Sequence, residues 1–163
     1  MNTKILKNPS DNRNARKHFS REIKALKKRY EGSVTKGNKY TDFIPSLLRL
    51  IYEYVQQLDR EGSTKKLVKN ANLKERNCDS KVDENNAFAV IIEAYVRPHF
   101  EEKKLNSAQR SKYSRALAYA HDHKIFTNWL GAFLKESGGY EESAKKHSEG
   151  QKEEWVTPQA TFE

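Results

Sequence analysis

Five basic residues near the start of the chain, Arg13, Lys17, Arg21, Lys24 and Lys28, recur every three or four positions. At 100° per residue that spacing stacks them along one side of an α-helix. A stack of guanidinium and ammonium groups can hold phosphate oxygens, lysine as a point charge and arginine through forked hydrogen bonds. Arg16 and Lys27 stand at the border of the same face. A second set lies further along, with Lys112, Arg115 and Tyr119 at i, i+3 and i+7 and Arg110 nearby. Arginine beside an outward tyrosine can grip a phosphate and stack a base. Lys65, Lys66 and Lys69 form a smaller third cluster.

The residues that could do acid–base, nucleophilic or metal chemistry are less well placed. In His121-Asp122-His123 the two imidazoles are two positions apart, so on a helix they point in different directions and cannot share one ion. The carboxylate pairs Glu101-Glu102, Glu141-Glu142 and Glu153-Glu154 sit in polar runs, whereas general acid–base work needs a partly buried carboxylate. Glu53, Asp59 and Glu93 accompany apolar runs and are better situated. Cys78 is the single cysteine; it cannot close an intramolecular disulfide, which suits a reducing compartment. Phosphate-binding loop, dinucleotide fingerprint and nucleophile elbow are all missing from the sequence. The expectation is a non-enzymatic protein with no catalytic residue, no cofactor and no metal. The enzymatic alternative is a metal-dependent nuclease whose ligands meet only in the fold.

Charge distribution strengthens the first cluster. The formal net charge is +9. The first forty residues hold twelve basic and three acidic side chains, an excess of nine, while the rest of the chain balances nineteen against nineteen. Charge gathered at one end creates a local field that draws polyanions, which evenly spread lysine does not. Charged residues make up 33% and mean hydropathy is -0.99, as in a heavily solvated chain, but 10% aromatic content argues against disorder throughout. At 163 residues one domain with a real core is expected. The first nine residues have two lysines and no apolar run behind them, so no secretory leader is read there. The longest apolar-rich stretches, 47–58 and 88–96, are too short to span a bilayer. The expected location is cytoplasmic, or nuclear in a eukaryote.

The elements that must position these residues are all helical. The reading is an all-α, single compact bundle of about five to seven helices, comprising a flexible basic arm (1–11), a helical domain (12–147) and an extended acidic tail (148–163) carrying Trp155, Val156 and Phe162. The first helix, 12–30, has an apolar stripe of Ala15, Phe19, Ile23, Leu26 and Tyr30 opposite its basic side. A loop covers 31–41. Helix 42–60 carries Leu47, Leu48, Ile51, Val55 and Leu58 inward, and a short helix covers 65–74. Helix 83–97 is apolar nearly all round and therefore central, with Glu93 and Arg97 paired on its polar strip. Pro98 breaks it. Asn106 with Gln109 reads as a capping box opening helix 107–123, and helices 127–136 and 140–147 follow. The stretch 116–133 has the length of a helix-turn-helix but lacks the turn glycine and base-reading side chains.

Together these features point to a nucleic-acid-binding accessory or regulatory protein, with DNA favoured over RNA, contacting phosphates through its first helix. The alternative is a protein-interaction module, an inhibitor or adaptor, docking its basic face on an acidic protein partner with the tail as apolar anchor. No membrane partner is expected.

Overall fold

The computed structural model describes residues 9–35, 43–71, 82–83, 85–101 and 104–152. Among them are seven α-helices and no strand: α1 (Pro9–Thr35), α2 (Phe43–Arg60), α3 (Thr64–Asn70), α4 (Ala87–Ile91), α5 (Ser107–Asp122), α6 (Leu130–Glu136) and α7 (Gly139–Ser148). The all-α bundle read from the sequence is the fold. Among these residues no helix is long and apolar enough to cross a membrane.

α2, α5 and residues 88–96 supply most of the buried apolar side chains. On α2, Leu47, Leu48, Ile51, Val55 and Leu58 are buried, and so are Phe43, Tyr52 and Tyr54. The phenol of Tyr52 is fully buried yet satisfied, donating to the carbonyl of Ile125, as a buried hydroxyl must be to avoid an uncompensated desolvation cost. Gly62 (φ +66°) turns the chain out of α2, and the Ser63 N–H closes the end onto the Leu58 carbonyl at 2.9 Å. That is the glycine-terminated ending its position in the sequence suggests.

α4 starts later than expected. Ahead of it the Asn86 N–H donates to the Asp83 carbonyl at 3.0 Å. Asn86 then caps the helix by accepting from the N–H groups of Phe88 and Ala89. Its amide also donates to the Ser114 carbonyl on α5 at 3.3 Å. This one side chain serves a helix end and an interhelical contact. Asn86→Ala is therefore expected to cost about 1–2 kcal/mol, read as a lowered urea midpoint at unchanged slope.

Beyond Ile91 the helical ladder widens. Residues Ile92–Val96 form a π-helical turn, and Arg97–His99 a 3-10 turn. The Arg97 N–H reaches back to the Ile92 carbonyl, five residues away. Pro98 explains the change of register, since its ring would collide with the carbonyl four residues back and it offers no N–H to an α-helical ladder.

α5 begins on the expected box, Asn106 accepting from the Gln109 N–H and the Gln109 side chain accepting from the Asn106 N–H, both at 2.9 Å. Its inner face, with Ala116, Leu117 and Ala120, packs against α4 and α7.

Several boundaries differ from the sequence reading. α1 starts at Pro9 and runs to Thr35, so residues 9–11 and 31–35 are helical rather than arm and loop. α3 stops at Asn70. A 3-10 turn, Thr127–Trp129, precedes α6. The apolar tail residues Trp155, Val156 and Phe162 lie outside the described residues, as does Cys78.

Candidate nucleic-acid interface

α1 is part of the body, not a projecting arm. Phe19 is 2% and Ile23 0% exposed, and the Phe19 ring stacks on Tyr54 of α2 with centroids 4.3 Å apart and planes 8° from parallel. Such burial of two large apolar side chains fixes which side of α1 faces the core. Its opposite side is thereby fixed to water.

On that side stand Lys17, Arg21, Lys24 and Lys28, all exposed. From Lys17 they follow at i+4, i+7 and i+11, which places all four within about 60° of arc and about 16 Å of length. None of the four pairs with a carboxylate among the described residues. Glu22 lies about 100° or more round the helix from each of them. The four charges therefore form a continuous ridge facing solvent. Arg13 is on the same helix, but its side chain lies outside what the structure describes.

The two border residues turn toward a neighbouring segment. The Arg16 guanidinium lies 6.0 Å from the centre of the Tyr95 ring, and the Lys27 ammonium 5.9 Å from that of Phe100. Both distances suit cation–π attraction. Between α1 and residues 94–99 is a groove of about 310 Å³ lined by Arg16, Lys17, Ser20, Tyr95, Pro98 and His99, with Phe19 and Ala94 at its base. The His99 Nε2 lies 3.2 Å from the Ser20 hydroxyl. Burial, then the nearby Lys24 and Lys27 charges, hold the His99 imidazole below its usual 6.5, so the ring is neutral at neutral pH.

The second expected cluster does not hold together. Tyr119 is 1% exposed and lies in the core against Phe133 and His123, centroids 5.6 and 4.5 Å away; it cannot stack on a base. Its outward placement at 100° per residue fails because α6 covers that side of α5. Arg110 is 6% exposed. Its Nε lies 3.0 Å from Glu93, and its Nη1 donates to the Leu105 carbonyl at 2.7 Å. It is an internal counter-ion rather than a phosphate ligand. Lys112 and Arg115 remain at the surface, Lys112 beside the Tyr113 ring and Arg115 donating to the Ser148 hydroxyl at 2.8 Å. Lys65, Lys66 and Lys69 are exposed on α3, which packs on α2 and α4.

The sequence reading missed the burial of Glu93. It is 4% exposed and pairs with both Arg97 (3.2 Å) and Arg110 (3.0 Å). Its expected partnership with Arg97 is present; the added arginine arrives from α5. A charged residue inside an otherwise apolar run was the available signal. The Glu93–Arg110 pair lines a cleft of about 800 Å³ between α4, α5 and α7. An adjoining cleft is lined by Asp59, Asp83, His121, Asp122 and His147. Asp59 accepts from Thr64 and contacts His121, and Asp122 lies 3.5 Å from His147. Among the described residues no three histidine, cysteine or carboxylate side chains converge as a metal-binding set.

No protein family, characterised protein or solved structure matches this chain.

Proposed function

We propose that this protein binds nucleic acid non-enzymatically, holding phosphates along the outer ridge of α1, with DNA preferred to RNA. The single observation that carries this reading is the ridge itself, four exposed cations on one line without a carboxylate among them. The axial length of about 16 Å corresponds to roughly five base-pair steps of duplex DNA. A helix of about 10–12 Å diameter fits the major groove of B-form DNA, while that groove in A-form RNA is deep and narrow. Three lysines and one arginine suit phosphates rather than base edges, so sequence selectivity is expected to be weak.

Affinity for duplex and single-stranded DNA, followed by fluorescence anisotropy, is expected to fall linearly with salt on a double-logarithmic plot. An affinity that stays flat from low to high salt would sink this reading. Capture of the same protein partner before and after nuclease treatment would replace it with an acidic protein as ligand.

A further inference from the structure

A positively charged helix face need not have any built site beside it, yet this one does. The groove between α1 and residues 94–99 borders the ridge through Lys17. Its lining carries two cations, the hydroxyls of Ser20 and Tyr95, one imidazole and no carboxylate. Arg16 is set in place over Tyr95, so part of its rotamer freedom is already lost before any ligand arrives, which lowers the cost of binding. Ser20 and His99 are held together at 3.2 Å, 79 residues apart in sequence. A hydroxyl and an imidazole converging among basic side chains supply short-range donors for an anion that the ridge alone would hold only by charge.

We propose that this groove seats one phosphate group of the bound strand, its oxygens held by Arg16, Lys17, Ser20 and a protonated His99. The proposal rests on the nucleic-acid reading above and adds a defined contact to it. In the neutral ring, Nε2 and the Ser20 hydroxyl satisfy one another. Once protonated, both ring nitrogens donate, Ser20 is left as acceptor at Nε2, and its own hydroxyl hydrogen is released to turn toward an anion. The charges that act on His99 are those of Lys24 and Lys27, the groove lining adds Arg16 and Lys17 from α1 and the neutral Tyr95, and its own segment carries Arg97 before it and Glu101 after it. Burial, then Lys24 and Lys27, oppose protonation while the groove lacks an anion. A phosphate reverses that balance, so the proton and the phosphate enter together.

The test is an imidazole NMR titration of the full chain, reading His99 against His18. His18 is exposed on the same helix and lies outside the groove, so it reports the general effect of a bound polyanion. The probes are inorganic phosphate and a short oligothymidylate. With either probe the His99 midpoint is expected to rise by about one pH unit or more while His18 moves less. By linkage, oligothymidylate affinity then gains severalfold between pH 8 and pH 6, approaching about tenfold only below the midpoint of the free ring, and His99→Gln loses most of that gain. Arg16→Gln and Ser20→Ala should each shrink the His99 shift while leaving helicity unchanged. Equal shifts at His18 and His99, or a His99 shift indifferent to both variants, would overturn the subsite; oligothymidylate that still binds in that case leaves the ridge reading standing. A His99 shift with inorganic phosphate but no binding of oligothymidylate overturns the strand as occupant.

Discussion

Replacing Lys17, Arg21, Lys24 and Lys28 together by glutamine is expected to make the salt dependence of DNA binding shallower by about 3.6 in log–log slope for duplex and about 2.8 for a single strand. Each cation that neutralises a phosphate releases about 0.9 of a counterion from duplex DNA and about 0.7 from a single strand. Over the decade of salt between about 0.1 M and 1 M, four such contacts amount to a loss on the order of a thousand-fold in affinity at the lower concentration. The side chains are exposed and pair with no carboxylate among the described residues, so the variant should keep its fold. Glutamine is nearly as good a helix former as lysine or arginine, and surface substitutions of this kind usually stay within about 0.5 kcal/mol each. Anisotropy measured across a salt series, beside thermal melts of both proteins, separates lost contact from lost structure. An unchanged slope in a folded variant would remove the ridge as the binding surface. Charge reversal is avoided because it would introduce repulsion and exaggerate the effect. Deletion of α1 is a poorer test, since Phe19 and Ile23 belong to the core.

The ridge was legible in the sequence because it depends on one helix alone: the spacing of Lys17, Arg21, Lys24 and Lys28 fixes their common side whatever that helix packs on. The same holds for the Asn106–Gln109 box, whose partners are three residues apart. What could not be read depends on which element lies opposite. Tyr119 has a helical position as outward as that of Lys112, and only the placement of α6 against it puts it inside. Arg110 stands seven residues before the buried Leu117, on the inward side, but that it meets Glu93 there depends on where the segment after α4 packs. His99 and Ser20 meet across 79 residues, a distance over which periodicity carries no information. The start of α4 was misjudged for a local reason, a capping asparagine preceded by a turn, where Asp83 looked equally able to start a helix. Pro98 did mark a break, but the form of that break, a π-helical turn ending in a 3-10 turn, arises from how the chain accommodates the proline while keeping Ile92, Ala94 and Val96 buried.

The largest loss of stability is expected at Glu93. Its carboxylate, 4% exposed, balances Arg110, itself 6% exposed, and the more accessible Arg97. Taking the three groups out of water is costly, and their mutual attraction and the Leu105 carbonyl contact help offset that cost. Glu93→Gln keeps the shape and removes the charge, leaving the Arg110 guanidinium buried beside a neutral amide. Removing one partner of such a pair typically costs about 3–5 kcal/mol, on the order of 10 °C in melting temperature for a chain of this size. Arg110→Met should cost less, because Arg97 still faces the carboxylate. The double replacement Glu93→Leu with Arg110→Met is expected to recover most of the loss, since Arg97 can turn to water and two apolar side chains then fill the space. Urea melts of the wild type, Glu93→Leu, Arg110→Met and the double replacement form the cycle; additive single effects would show that the pair is not coupled. DNA binding supplies the second readout. If Arg110 is a counter-ion within the fold, Arg110→Met lowers the melting temperature and leaves the salt slope unchanged, whereas a phosphate ligand would take about 0.9 from that slope when removed.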